Sequence, residues 1–231
     1  MVRMNTNKKI RRNCNCLPFH PIRVHSCYSW QILFDRARLP LPVPTRPQKP
    51  TKADLIAAAG KTVPDLIAPN LKVLFVGINP GLYTAAIGHH FGRPGNRFWP
   101  ALFAGGFTDR LFSPWERDQL LEGGYGITNL VSRATARADE LNAEELRAGV
   151  KVLAKKVRRF KPAFAAIVGI TSYRIAFDRP LAKLGPQSET IAGAQLWVLP
   201  NPSGLNAHYQ PAALGKLFRE LHDAAETRFG K

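Results

Sequence analysis

Cysteine is confined to the start of this 231-residue chain: Cys14, Cys16 and Cys27 are the only three, and the body has none. The body therefore offers no disulfide, no thiolate nucleophile and no four-cysteine set for an iron–sulfur cluster. Cys14 and Cys16 stand near His20 and His25, but a Cys-x-Cys step is not the usual two-residue spacing of a zinc finger, so free thiols are expected. Long hydrophobic runs are missing too. The longest, such as Ala163–Ile170, falls far short of the ~18 residues a membrane span requires. The basic N-terminal stretch lacks the apolar core of a secretory signal, and Asn13–Pro21 shows no amphipathic period of a presequence. Neither Gly-x-Gly-x-x-Gly nor a phosphate-loop Lys-Ser/Thr pattern occurs, which disfavours dinucleotide and nucleoside-triphosphate chemistry. No membrane partner is expected, and the location implied is reducing and intracellular: cytoplasmic, and nucleoid-associated if the source is bacterial.

Acidic residues are scarce: 16 Asp and Glu face 33 Lys and Arg, for a net charge of +17. Residues 1–52 hold eleven basic residues and one acid, Asp35, for +10; the remaining 22 basic and 15 acidic residues give the body +7. Such a field suits a polyanionic partner, with nucleic acid favoured over an anionic membrane. Residues 1–50 read as a basic, proline-rich, disordered arm ending in the extended linker Pro40–Pro50, and residues 51–231 read as one folded domain.

Two loops in the body share one design. Lys72-Val-Leu-Phe-Val-Gly-Ile-Asn-Pro-Gly81 and Gln195-Leu-Trp-Val-Leu-Pro-Asn-Pro-Ser-Gly204 are apolar runs that stop at an Asn-Pro turn. Short apolar runs bounded by Pro and Gly read as buried strands of a parallel sheet. Ligands of open α/β sheets lie beyond the carboxyl ends of such strands, so both loops are expected on one edge. A further strand is expected at Ala163–Gly169, and a short strand or strand-like loop over Ile127–Val131. Helices are expected at Ala53–Ala59, Asn96–Ala104, Pro114–Leu121, Thr171–Phe177 and Leu214–Thr227, and most clearly at Asn142–Phe160. That last helix has Leu146, Val150, Leu153, Ala154 and Val157 on one face and Lys151, Lys155, Arg158 and Arg159 opposite. Alternating strands and helices predict a three-layer α/β/α sandwich around a small, mostly parallel sheet.

Asn79 is the first candidate for chemistry. An amide can hold water or a ligand edge but cannot act as a base. It suits a reaction in which the leaving-group bond breaks ahead of attack, as in N-glycosidic cleavage. Phe91, in a polar glycine-rich loop, offers a stacking surface for a base. His89-His90 lacks a third metal ligand at useful spacing, so phosphate contact or hydrogen bonding in a pocket is expected, with no metal site. Leu205 on a glycine-flanked loop is the kind of apolar wedge that enters between base steps.

Gly77-Ile-Asn-Pro-Gly-Leu82, Pro94-Gly-Asn-Arg-Phe-Trp99, Gly105-Gly-Phe-Thr-Asp-Arg110 and Leu199-Pro-Asn-Pro-Ser-Gly-Leu205 resemble motifs of the mismatch-specific uracil/thymine-DNA glycosylases, in order over residues 60–228. The resemblance implies the uracil-glycosylase fold. It also implies monofunctional excision of uracil or thymine opposite guanine, and of damaged pyrimidines such as ethenocytosine, from double-stranded DNA by a cofactor-free monomer. Asn79 would place the hydrolytic water beneath C1′ and Phe91 would stack on the extruded base. Backbone around Ile78 and Tyr83 would bond the pyrimidine, with Thr84, His90 and Asn129 about the pocket; Thr84 bears on room for a 5-methyl group. Asn201 and Ser203 would hold the strand, and Gly204-Leu205-Asn206 would fill the gap. The main uracil-glycosylase family has an acid and a histidine where Asn79 and Asn201 stand, which predicts slower chemistry here and more reliance on a weakened base pair. Two other readings stay open: a non-catalytic mismatch or abasic-site binder on the same scaffold, which would release no free uracil, and a nucleotide-binding α/β enzyme, which would bind nucleotides without duplex.

Overall fold

The computed structural model describes residues 49–204 and 209–229. The expected arm, apart from its last two residues, and the wedge residues Leu205 and Asn206 lie outside the described residues.

Three neighbouring strands, β1 (Val73–Gly77), β2 (Tyr125–Asn129) and β3 (Phe164–Val168), are buried at every position, with β2 at one edge of the sheet. Burial on both faces is what parallel strands flanked by crossover helices require. β5 (Ala194–Leu199) and β4 (Gly185–Ile191) complete the order β2-β1-β3-β5-β4. β1 pairs parallel with β2 and β3, β3 pairs parallel with β5, and only β4 runs antiparallel. The carboxyl ends of β1, β2, β3 and β5 thus share one edge, as the twin loops predicted.

Alternation along β1 builds two cores. Val73 and Phe75 face a cluster with Phe98 of α3 (Phe98–Gly105) and Phe218 of α7 (Pro211–Phe229). Leu74 and Val76 face the other cluster, with Leu153 and Val157 of α5 (Ala143–Phe160) and Tyr173 of α6 (Ile170–Ala176). Helices on both faces give the three-layer sandwich. α3 and α7 approach closely because glycine stands at the contact: a Cβ at Gly105 would lie 2.8 Å from Phe218 Cβ, and one at Gly215 would lie 2.8 Å from Ala104 Cβ.

Local signals explain most boundaries. α5 starts at Asn142, whose side chain accepts from Glu145 N–H while Glu145 returns the bond, and it stops at Lys161 (φ 50°) ahead of Pro162. The short α1 (Lys52–Ala57) is boxed by Thr51 and Asp54 in the same way. The helix expected over Pro114–Leu121 is instead a 3₁₀ turn, Pro114–Glu116, followed by α4 (Gln119–Glu122). Glu116 folds back to accept from Ser113 N and Oγ, which closes the first turn, and Gly123 and Gly124 end the second. Two elements carried no clear periodic signal. α2 (Leu82–Ile87) is six residues long between Gly81 and left-handed Gly88, and β4 is an alternating, half-exposed edge strand. No described helix is long and apolar enough to cross a membrane.

Candidate active site

Asn79 follows β1 by two residues, and the segment after β2 is zipped against it. Leu130 and Val131 N–H donate to the Gly77 and Ile78 carbonyls, and Thr135 N–H donates to the Pro80 carbonyl. This apposition orients the Asn79 amide. Its Nδ2 donates to the Arg133 carbonyl (3.1 Å) and to Thr135 Oγ1 (2.7 Å). Thr135 gives its own hydroxyl proton to the Arg137 carbonyl (2.6 Å), so toward Asn79 its oxygen can only accept. Both amide protons are used, and Oδ1 is left as an acceptor on a residue that lines a cavity. Arg133 is itself held by Glu145, which fixes the carbonyl that receives Asn79.

The cavity measures about 140 Å³ and lies beyond the strand ends. Ile78, Asn79, Thr84 and Phe91 line it from the first loop and the segment after that loop, Asn129 from β2, and Asn201 and Ser203 from the second loop. His90 lines it as well. Tyr83 does not: it faces a neighbouring groove of about 350 Å³, shared with Phe91, Trp99 and Trp115. About 150 Å³ is room for one benzene-sized ring.

His90 is 1 % exposed and its Nε2 lies 2.9 Å from the Pro64 carbonyl. A carbonyl cannot donate, so Nε2 carries the proton and Nδ1 is bare, facing Asn129 Nδ2 at 3.5 Å. Burial holds the imidazole pKa down to about 4, outweighing the Pro64 bond that favours the charged form. His90 is neutral at physiological pH.

Asn129 is the register partner of Gly77, and the glycine makes room for it. A Cβ at Gly77 would stand 2.6 Å from Asn129 Oδ1 and 3.3 Å from Phe91 Cζ. Phe91 adopts a left-handed backbone (φ 53°) and stacks on Phe98, with centroids 3.9 Å apart and planes at 18°. Its ring is thus backed by the core while it still lines the cavity.

In the second loop, Asn201 Oδ1 accepts from Ser203 N–H (3.0 Å), a turn that fixes both residues. Arg97 ties this loop to the first half of the chain. Its N–H donates to the Pro202 carbonyl, and its guanidinium donates to the Tyr209 (2.6 Å) and Gly204 (3.3 Å) carbonyls. Sequence reasoning met Arg97 only inside a motif and missed the roles of Thr135 and Arg133. A hydroxyl and a carbonyl beyond the next strand leave no local signal of what they hold.

Among the described residues no Asp, Glu or Lys lines this cavity, whereas Arg93 and Arg137 do. Among the described residues no group of His, Cys, Asp and Glu could hold a metal ion. The site can orient water and bind a flat, hydrogen-bonding ring beside positive charge. Among the described residues its only imidazole is His90, whose Nδ1 is turned to Asn129.

The chain resembles known proteins over the segment that builds this site. Among solved structures, a solution NMR structure from Methanosarcina acetivorans, provisionally described as a uracil DNA glycosylase, is similar at 18% identity and a TM-score of 0.46, covering 71% of this chain and 98% of that one. The family model of the uracil DNA glycosylase superfamily matches residues 64–222, which run from the Pro64 carbonyl under His90 to α7 and take in every cavity-lining residue. The chain therefore belongs to the uracil DNA glycosylase superfamily, hydrolases that act on DNA.

Proposed function

We propose that this chain flips uracil or thymine mispaired with guanine out of duplex DNA and hydrolyses its N-glycosidic bond, leaving an abasic site. Damaged pyrimidines such as ethenocytosine would enter the same pocket. The observation that carries the reading is the Asn79 amide: both protons tied down, Oδ1 bare, in a ring-sized cavity that no carboxylate among the described residues lines. Oδ1 accepts a hydrogen bond from water and aims its lone pair, but does not deprotonate it. So weak a nucleophile suffices when the sugar has already become oxocarbenium-like. Water then attacks C1′ and sheds its proton to solvent, while the pyrimidine departs with the bonding electron pair. Arg93 puts positive charge beside the cavity where that base anion develops, whereas the charge of Arg137 is already met by Asp139.

Phe91, backed by Phe98, supplies the stacking face, and Asn129, beside His90, reads the pyrimidine edge together with backbone near Ile78. Thr84 bounds the pocket near a 5-methyl group. Asn201, Ser203 and the Gly204-Leu205-Asn206 tip hold the strand and fill the gap. Among the described residues no lysine lines the cavity to form a Schiff base, which supports a monofunctional reading. Flipping costs least from a mismatch, which supplies the G·U and G·T preference. No cofactor takes part, and a monomer suffices.

The test is Asn79→Ala. Single-turnover excision of uracil from a G·U duplex is expected to vanish while duplex binding stays nearly intact; unchanged excision refutes the role. Wild-type chain in excess that releases no free uracil would establish the non-catalytic binder instead. A panel of uracil, thymine and ethenocytosine opposite guanine ranks the substrates.

A further inference from the structure

Helix α5 carries charge that the base pocket does not use. From Leu146 to Phe177 the chain has no acidic residue. Three cations of that stretch have structural work: Lys156 pairs with Asp65 (2.5 Å), Arg159 lies over the Phe160 ring (5.1 Å), and Arg174 donates to the Ala182 carbonyl (2.7 Å). Arg147, Lys151, Lys155 and Arg158 do not. All four are exposed, and their spacing of four, four and three residues sets them in one stripe opposite the buried Leu146, Gly149, Leu153 and Val157. None of the four takes part in an ion pair among the described residues. Glu144 stands at the head of the stripe and leaves it open from Arg147 onward.

Like charges four residues apart weigh against a helix. The helix dipole accounts only for the cations of the last turn, Arg158 and Arg159. Arg147, Lys151 and Lys155 are therefore an arrangement the helix tolerates without gain from within the fold. The stripe runs about 16 Å along the axis, and phosphates follow one another every ~3.4 Å along a strand.

We propose that the exposed face of α5 is a second nucleic-acid contact surface, which binds phosphate backbone without sequence preference and apart from the base pocket. α5 belongs to an outer layer of the sandwich and the pocket to the strand ends, so the stripe engages flanking or neighbouring nucleic acid and not the flipped nucleotide. A lipid surface fits less well. A membrane-lying helix exposes its apolar face, whereas that of α5 is buried in the core and only Val152 stands out beside the cations.

The experiment compares the full-length chain with its Lys151→Gln/Lys155→Gln/Arg158→Gln variant for binding to an undamaged duplex over a range of salt. The log–log slope is expected to become shallower by about 2 to 3, since each phosphate contact contributes about 0.9. A Lys151→Arg/Lys155→Arg variant is expected to keep the wild-type slope, and all three chains to excise uracil at equal single-turnover rates at low salt. An unaltered slope in the triple variant overturns the proposal. So does loss of binding to phosphatidylserine vesicles with the duplex slope intact, which would assign the face to lipid. The first 50 residues are present throughout, so their charge cancels. Should no chain excise uracil while the slopes still differ, base excision falls and the α5 surface stands.

Discussion

A neutral amide at residue 79 has no charge to hold it in place, so its orientation is imposed by Thr135 and by the Arg133 carbonyl. Thr135→Val keeps the shape and removes the acceptor, freeing the amide to rotate. Single-turnover excision is expected to fall by about 10- to 100-fold, the scale of a misplaced reacting group, with the denaturation midpoint little changed. An undiminished rate would show that Asn79 needs no such anchor. Gly77→Ala acts on the neighbouring contact. Its methyl would meet Asn129 Oδ1 at 2.6 Å, so base binding should weaken while Asn79 keeps its partners; competition by free uracil would measure it. His90 is held neutral, so its ionisation is expected to leave excision rates flat between about pH 6 and 8. An inflection near 6.5 that disappears in His90→Gln would contradict this.

Elements set the walls on which those residues stand. β1 places Gly77 beside Asn129, and α3 places Phe98 behind Phe91, so the cavity inherits the position of both. α3 in turn seats on α7 through Gly105 and Gly215. Gly105→Val pushes into Phe218 and is expected to destabilise the fold by about 1–3 kcal/mol, read as a lower urea midpoint, with weaker excision as α3 shifts. Unchanged stability would mean that α7 moves aside freely. β1, β3 and α5 were legible because their signals are local: unbroken apolar runs and a 3.6-residue stripe. β4 was not, because an edge strand with alternating exposure is defined by its pairing with β5. α2 was not, because six residues between glycines carry too little periodicity.

Over the whole molecule, acidity should act in two stages. The folded pKa of His90, about 4, lies below the ordinary 6.5. Between those values the unfolded chain binds a proton that the folded chain refuses. Stability is therefore intact above pH 6.5 and falls as pH drops toward 4, by up to about 3 kcal/mol for a full shift of this size. Glu116 and Glu145 lie at about 2 against an ordinary 4.5, Glu116 through hydrogen bonds from Ser113 and Arg110 and Glu145 through those from Arg133 and Asn142. Their contribution is present above 4.5 and lost below it. Urea titrations from pH 7 to 3 should show both stages, and His90→Gln should remove only the first. Persistence of the upper stage in that variant would assign it elsewhere.

Sequence alone determined the parallel sheet, the two Asn-Pro loops at one edge and the residue types available there, because strand length, turn chemistry and composition are properties of neighbouring residues. Tertiary structure decided which atoms of those residues are usable. Thr135 reaches Asn79 across 56 positions and Pro64 reaches His90 across 26, and these partners choose the amide's face and the imidazole's tautomer. Hydrogen-bond direction depends on what stands opposite in space, and no local pattern encodes it.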